Sequence, residues 1–434
     1  TVPVERHPES SGIGAFRNHR PEAFSPGVFI AGIGINAAPS RSPDTGHGPL
    51  SKETIMLKIK PLTVLIAPSG FKESLDVDDV CRLIGEGVEK AMPNTKILHA
   101  PMVDGGEGFT KAICTATNGA LQEVEVMGPV GEPVSSFYGF MGAGPRTAVI
   151  EMAAAAGLRL VPRDRRDPTK TTSFGVGELI RHALDNGAKR ILIGCGDSGI
   201  NDGGAGMAQA LGARLLDAAG RDIGHGGGEL AGLHSIDLTG LDPRLAGTQI
   251  DVAVNWHNVL LGPKGVARVF GPQKGATPTQ VDSLEEGLET YARVIRQTLD
   301  LDIGAAPGSG ASGGLGAGLV AFAGATLHPR FDIVMQYLQF DTLLKRADLV
   351  ITAEGSLDGQ SPFGKVPCEV ARRAREMGIP AIALAGTIGK GVASTFDAGI
   401  DAFASILKRP CTLDEAIAGS EKLLRNAAED AVRM

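Results

Sequence analysis

Carboxylates, lysines and small polar side chains concentrate in this chain where short apolar runs give way to glycine. The densest such stretch is Ile191–Gly212, ILIGCGDSGINDGGAGMAQALG, which carries Asp197, Ser198, Asn201 and Asp202. Asp104 and Glu107 stand in Asp104-Gly105-Gly106-Glu107-Gly108, and Ser69 and Lys72 in Pro68-Ser69-Gly70-Phe71-Lys72. Lys274 follows Phe270-Gly271-Pro272-Gln273, while Glu354, Gly355, Asp358, Gln360, Ser361 and Lys365 share the later stretch 353–365. Phosphoryl transfer needs positive charge on the moving group, a metal ion held by carboxylates, and a group that orients the attacking hydroxyl. These loops hold all three kinds of residue. A lone loop lysine is ordinarily a solvated charge, but Lys72 and Lys365 each sit between a buried apolar run and the start of a helix, where a phosphate also finds backbone N–H groups. For the Asp and Asn of the central loop, the competing reading is that they cap the helix that follows.

Two glycine stretches have the spacing of nucleotide fingerprints without their context. Gly308-Ser309-Gly310-Ala311-Ser312-Gly313 matches GxGxxG, with Asp332 about 20 residues on, yet no strand signal leads into it. Gly359–Lys365 matches GxxxxGK, but Val366 stands where a Ser or Thr would hold magnesium. Either can still offer N–H groups to a phosphate ahead of a helix, so Gly310, Gly313, Gly314, Gly355 and Asp358 are candidate cofactor contacts.

Bulk properties narrow the class. A net charge of −7 argues against general nucleic-acid binding, because that affinity comes from basic patches on phosphates. No apolar run approaches the roughly 20 residues of a membrane helix, and a cytoplasmic protein is expected. The cysteines Cys81, Cys114, Cys195, Cys368 and Cys411 are scattered, with no CxxC pair for zinc or redox chemistry. Cys195, inside the central loop, reads as a small buried filler.

The elements that position these loops follow from periodicity. Residues 1–55 are rich in Pro, Ser, Gly and His without a sustained period and read as a disordered N-terminal extension. Met56 is a candidate natural start; a transit peptide is the competing idea, favoured by Arg6, Arg17, Arg20 and Arg41 and opposed by Glu5, Glu9, Glu22 and Asp44. Leu62–Ala67 is a buried strand and the segment from Asp76 a capped helix with Val80, Leu83, Ile84 and Val88 on one face. Thr95–Ala100 is a second strand. Leu121–Met127 and Val134–Phe140 alternate as an antiparallel pair, Thr171–Asn186 is an amphipathic helix, and Ile191 onward is strand, loop and helix. A βα rhythm returns at Ala347–Thr352, with a helix at Cys368–Met377, strands at Ala381–Ala385 and Ala402–Ser405, and a closing helix over Leu413–Val432. The expected organisation is a parallel-sheet domain of residues 56–118 and 330–434, interrupted by an inserted α/β domain of residues 119–329.

The ordered set IAPSGFKESL (Ile66–Leu75), DGGEG (Asp104–Gly108), KTTSFGVGELI (Lys170–Ile180), NDGGAGMAQALG (Asn201–Gly212), FGPQKGATP (Phe270–Pro278), GASGGLGAG (Gly310–Gly318) and DGQSPFGK (Asp358–Lys365) resembles the two-domain type I glycerate kinases from about Leu62 onward. The resemblance implies a discontinuous Rossmann-like domain with an inserted α/β domain, an active site in the cleft between them, and phosphorylation of D-glycerate by ATP with Mg2+, 2-phosphoglycerate being the expected product. On that basis Lys72, Asp104 and Asp202 are the expected catalytic residues, Asp104 and Asp202 also the metal ligands. Ser69, Ser198, Asn201, Lys274, Gln360, Ser361 and Lys365 are the expected substrate contacts. The expected partners are D-glycerate and ATP, with a homodimer as a candidate assembly. The chain departs from the family pattern at Asp197, Gly199 and Ile200, where GGSATNDGG has Gly, Ala and Thr. It departs again at Asn255, where an Asp is common, and at Ser356, where GEGR has Arg. The alternatives are a non-catalytic organic-acid binder and a nicotinamide-dependent dehydrogenase.

Overall fold

Aliphatic runs with little polar alternation require burial on both faces, which favours interior parallel strands. The computed structural model describes residues 61–434 except 72, 73 and 143; the expected extension 1–55 and Lys72 lie outside the described residues. In chain order the strands are Thr63–Ile66 (β1), Lys96–His99 (β2), Ala120–Met127 (β3), Pro133–Phe140 (β4), Thr147–Glu151 (β5), Arg190–Gly194 (β6), Arg214–Leu216 (β7), Ser235–Asp237 (β8), Gln249–Val254 (β9), Thr326–Pro329 (β10), Leu349–Leu357 (β11), Ala381–Ile388 (β12) and Ala402–Ser405 (β13). One sheet is wholly parallel in the order β13-β12-β11-β1-β2. The second runs β10-β9-β6-β5-β4-β3, parallel from β10 to β5 and antiparallel beyond. β7 and β8 pair separately. The expected α/β class is what is found, and the antiparallel pair read at Leu121–Met127 and Val134–Phe140 is β3 with β4. No helix among the described residues is long and apolar enough to cross a membrane.

Helix Val77–Ala91 shows how sequence sets an element. The Asp76 carboxylate accepts from the Asp79 N–H at its start, and Val80, Leu83, Ile84 and Val88 form the buried face. Gly87 lets helix Ser420–Arg433 cross closely, since a Cβ there would lie 2.3 Å from the Arg425 carbonyl oxygen.

Three local expectations are corrected. The closing helix is two helices, Leu413–Ala418 and Ser420–Arg433, because Gly419 ends the first. The helix expected from Thr171 starts at Phe174, because the Thr171 hydroxyl is committed to the Gly199 carbonyl and Ser173 to Asp202. The strand read at Ala347–Thr352 continues to Leu357, because Glu354, Ser356 and Leu357 keep register with Ala385, Thr387 and Ile388 of β12. Gly355 is therefore in a strand instead of a phosphate-binding turn.

Strand order places the loops. In the first sheet, the chains leaving the neighbours β1 and β11 lead to β2 and β12 on opposite sides, which opens a crevice at the C-terminal strand ends. In the second sheet, the C-terminal ends of β5, β6, β9 and β10 emerge along one edge. The Asp104–Gly108 loop, which follows β2, packs on that edge. A Cβ at Gly105 would meet the Cys195 nitrogen at 3.0 Å and the Ala253 oxygen at 3.2 Å. One apolar cluster, including Leu65, Phe109, Val149, Leu192, Ala253 and Ile333, spans both sheets.

Candidate active site

The second sheet delivers its reactive groups through the loop after β6. Gly196 brings this loop against the one after β2 so closely that a Cβ would lie 2.6 Å from the Gly106 Cα. Asp197 then adopts left-handed backbone, φ 49°, and its Oδ2 accepts from the Glu107 N–H at 3.0 Å. Asp104 Oδ1 accepts from the Gly106 N–H at 3.3 Å, and its Oδ2 lies 3.7 Å from Arg330 at the end of β10. Asp104 and Asp197 flank one point: a Cβ on Gly106 would approach Asp197 Oδ2 at 2.1 Å and Asp104 Oδ1 at 3.3 Å. Both carboxylates are exposed. The loop is anchored from behind by Glu151, a buried carboxylate at the end of β5 that accepts from the N–H groups of Gly108 and Thr110. Burial pushes the Glu151 pKa up, with those two hydrogen bonds opposing.

Beneath this mouth lies a buried polar floor. Lys274 is 2% exposed, and its Nζ donates to Ser198 Oγ at 2.9 Å and to the Ile200 carbonyl at 2.6 Å. Both acceptors are neutral. Burial therefore pulls the lysine pKa down to about 7, with the Asp202 charge opposing. Asn201 is fully buried, and among the described residues neither its amide nitrogen nor its oxygen has a partner. The turn Ser312–Gly314 closes the floor from the other side, all three residues having left-handed backbone. A Cβ on Gly313 would lie 2.0 Å from the same Ile200 oxygen that Lys274 engages and 2.9 Å from the Asn201 Cα.

Asp202 is also fully buried, and its carboxylate is filled. Oδ2 accepts from Ser173 N–H, Ser173 Oγ and Gly206 N–H, and Oδ1 from Gly204 N–H. Burial raises its pKa despite these bonds. The side chain frames the start of helix Ala205–Ala210, as the capping reading allowed, and the bonds it accepts come from its own loop and from Ser173 while it is 0% exposed.

The first sheet supplies a separate cluster. Lys365 Nζ lies 3.3 Å from both oxygens of Asp358 and 3.2 Å from the Ser356 carbonyl. Asp358 Oδ1 also accepts from the Gln360 N–H, and Ser361 Oγ accepts from the Asp358 N–H. Lys365 precedes helix Val366–Glu376, which has Pro367 in its first turn. Ser69 ties the loop after β1 to β11 through the Ala353 carbonyl. Among the described residues, no hydrogen bond or ion pair joins Gln360, Ser361 or Lys365 to Ser198, Asn201 or Lys274. The structure thus gathers Ser198, Asn201, Asp202, Lys274, Gly313 and Gly314 around one loop, with Asp104 at its mouth. Asp358, Gln360, Ser361 and Lys365 lie around another, and Lys72 is outside the described residues.

The donor set bears on a magnesium ion. Among the described residues no group of three or more His, Cys, Asp or Glu side chains could hold a metal. Mg2+ typically keeps several waters and takes one or two carboxylates plus substrate phosphates, and the exposed pair Asp104 and Asp197 suits that demand. Sequence reading did not single out Glu151, Arg330 or Ser312. Glu151 ends an apolar strand and Arg330 begins a helix, so each carried a positional signal, and Ser312 stood inside the Gly308–Gly313 glycine stretch, which drew attention to its glycines instead of its hydroxyl.

Residues 64–434 match the model of the glycerate kinase family. The chain is 45% identical over 368 residues to a glycerate kinase of Halalkalibacterium halodurans, covering 85% of this chain and 97% of that protein. It is 47% identical over 359 residues to the glycerate 2-kinase of Escherichia coli, covering 83% and 94%. A crystal structure from Salmonella typhimurium LT2, assigned as glycerate kinase 2, superposes with a TM-score of 0.78 at 46% identity, covering 86% of this chain and 98% of that one.

Proposed function

The chain belongs to the glycerate kinase family, and we propose that it transfers the γ-phosphoryl group of ATP to the 2-hydroxyl of D-glycerate. The observation that carries this reading is the buried Lys274. Its ammonium donates only to neutral acceptors, Ser198 Oγ and the carbonyl of Ile200 next to Asn201, with the Asp202 charge acting on it without a direct bond, so an organic acid would bring it a directly bonded counter-charge. The family relative in Escherichia coli is named a glycerate 2-kinase, which supports the 2-hydroxyl as acceptor. We take the two sheets as the cores of two domains, residues 56–118 with 330–434 and residues 119–329, with the site between their loops.

The acid lies on the floor formed by Ser198, Asn201 and Lys274. Gln360, Ser361 and Lys365 take the nucleotide phosphates at the start of helix Val366–Glu376, where dipole and N–H groups favour anions, with Asp358 holding Lys365 in place. Gly310, Gly313 and Gly314 let their turn pack against Val259, Ile200 and Gly203 at the edge of that floor, and Ser69 ties the loop after β1 to β11; Lys72 is assigned to the transferred group from its place in the sequence motif. Asp104 and Asp197 are the residues to hold magnesium, and Asp202 is assigned to framing the loop. When bound, magnesium neutralises and orients the transferring phosphates. In the transfer, a bond forms from the acceptor hydroxyl oxygen to the γ-phosphorus and the bond from that phosphorus to the β–γ bridging oxygen breaks. ADP leaves, and the hydroxyl proton passes to water, since a metaphosphate-like transfer asks little of a base.

The test is ADP release with D-glycerate, L-glycerate or no acceptor, with and without magnesium, followed by phosphorus NMR of the product. Magnesium-dependent turnover on D-glycerate giving the 2-phosphate is expected. Absence of turnover would defeat the reading, and a 3-phosphate would correct the acceptor.

A further inference from the structure

Asn201 and Ser312 are buried polar side chains that have no partners among the described residues, on facing segments of one floor. Asn201 is 0% exposed with both amide atoms unpaired, and Ser312 is 9% exposed with its hydroxyl unpaired. The buried Cys195 thiol is a weak neighbour of the Ser312 hydroxyl. The backbone adds a second oddity. Ser312, Gly313 and Gly314 all have positive φ, 51°, 72° and 89°. Glycine adopts that conformation freely, and a residue with a Cβ does so under strain. Position 312 thus keeps a hydroxyl where its two neighbours avoid any side chain. Strain and unsatisfied polar groups together mark a place built for a ligand.

The chemistry of the orphans says which ligand group they fit. A carboxylate only accepts hydrogen bonds and would leave the Asn201 oxygen unmatched. A hydroxyl both donates and accepts, so it can satisfy the amide oxygen and the amide nitrogen or Ser312 in turn. An ordered water would do the same in the free protein and be displaced by such a hydroxyl. We propose that Asn201 and Ser312 read the substrate hydroxyl that is not phosphorylated, while the neighbouring Lys274 takes the carboxylate. This rests on D-glycerate being the acceptor, and it makes the pair the determinants of specificity for dihydroxy acids over monohydroxy acids. A site built to bond a hydroxyl rejects an analogue lacking it by about 10⁴-fold, because its buried groups are then left unpaired.

The experiment compares kcat/KM for D-glycerate, D-lactate and 3-hydroxypropanoate in the full chain, in Ser312→Gly and in Asn201→Leu. Each analogue lacks one of the two hydroxyls. The wild type is expected to favour glycerate by at least about 10³-fold over whichever analogue keeps the reacting group. That ratio should fall about tenfold or more in Ser312→Gly and further in Asn201→Leu. Ser312→Gly suits the left-handed backbone, so its melting temperature should hold or rise. It therefore remains a valid test even if Asn201→Leu fails to fold. A merely structural role would lower all activities in parallel and leave the ratio unchanged. An unchanged ratio in Ser312→Gly, or a wild type that phosphorylates D-lactate as readily as D-glycerate, overturns the inference. A wild type with no turnover on D-glycerate instead overturns the kinase reading on which it stands.

Discussion

The division of labour between the two central carboxylates can be tested by changing Asp202 and Asp104 to asparagine. In Asp202→Asn the amide can keep its oxygen at the Oδ2 position, facing Ser173 N–H, Ser173 Oγ and Gly206 N–H, but its NH2 then faces the Gly204 N–H donor. One buried donor loses its acceptor, at about 1–3 kcal/mol, and the remaining bonds lose their charge assistance. The expected destabilisation is about 2–4 kcal/mol. With an unfolding entropy of about 2.1 cal/mol/K per residue over roughly 370 residues, 3 kcal/mol corresponds to a fall of about 4 °C in melting temperature. Asp104 is 56% exposed at the side chain and makes one long ion pair, so Asp104→Asn should melt within about 1 °C of wild type. Its kcat/KM should instead fall about 100-fold, as for loss of one electrostatic contact to the reacting group, with the magnesium concentration for half-activation raised. Melting curves and magnesium titrations of both variants decide the matter. An Asp202→Asn protein with wild-type melting and lost magnesium dependence would refute the argument from burial.

Lys274→Met should reveal the buried lysine through pH. The folded-state pKa of about 7 lies below the ordinary 10.5, so between these values the unfolded chain holds a proton that the folded chain lacks. The stability of wild type relative to the variant should therefore rise with pH through that window, by at most about 1.4 kcal/mol per unit, and be flat below it; a flat difference up to pH 10 would contradict the burial. Gly196→Ala should cost about 1–3 kcal/mol, because its Cβ would lie 2.6 Å from Gly106 Cα and 2.7 Å from Gly106 N, both rigid backbone atoms. Chemical denaturation measures this, and wild-type stability would show that the two loops can part freely. Lys365→Ala should raise KM for ATP about 10- to 100-fold, as for loss of a charged hydrogen bond, while KM for D-glycerate stays within about twofold. The reverse pattern in steady-state kinetics would move the nucleotide to the other loop cluster.

Much of the architecture was legible because burial writes itself into composition. The runs Thr63–Ile66, Ile191–Ile193 and Val350–Thr352 are continuous and apolar, as parallel strands buried on both faces must be, and the alternation in 121–140 marked the antiparallel pair. The order of the glycine-rich loops carried the family as well. Local chemistry could not say where β11 ends, since Glu354, Gly355 and Ser356 read as a loop until the register with β12 extends the strand through them.

The side chains of the site divide in the same way. Residue types and loop positions, set by the sequence alone, are enough to nominate Asp104, Asp202, Lys274 and Lys365 as charged groups in loops. Their environments depend on contacts between segments far apart in the chain. Asp202 becomes a filled, buried frame only because Ser173 folds onto it, and Asp197 joins Asp104 only because Gly196 and Gly106 allow two loops from different sheets to touch. Lys274 loses its solvent to a loop some seventy residues away, and Asn201 and Ser312 are left unpaired by the meeting of two distant turns. Burial and hydrogen-bond saturation are properties of the assembled neighbourhood, so tertiary structure alone distinguishes a carboxylate that can receive a ligand from one that is already occupied.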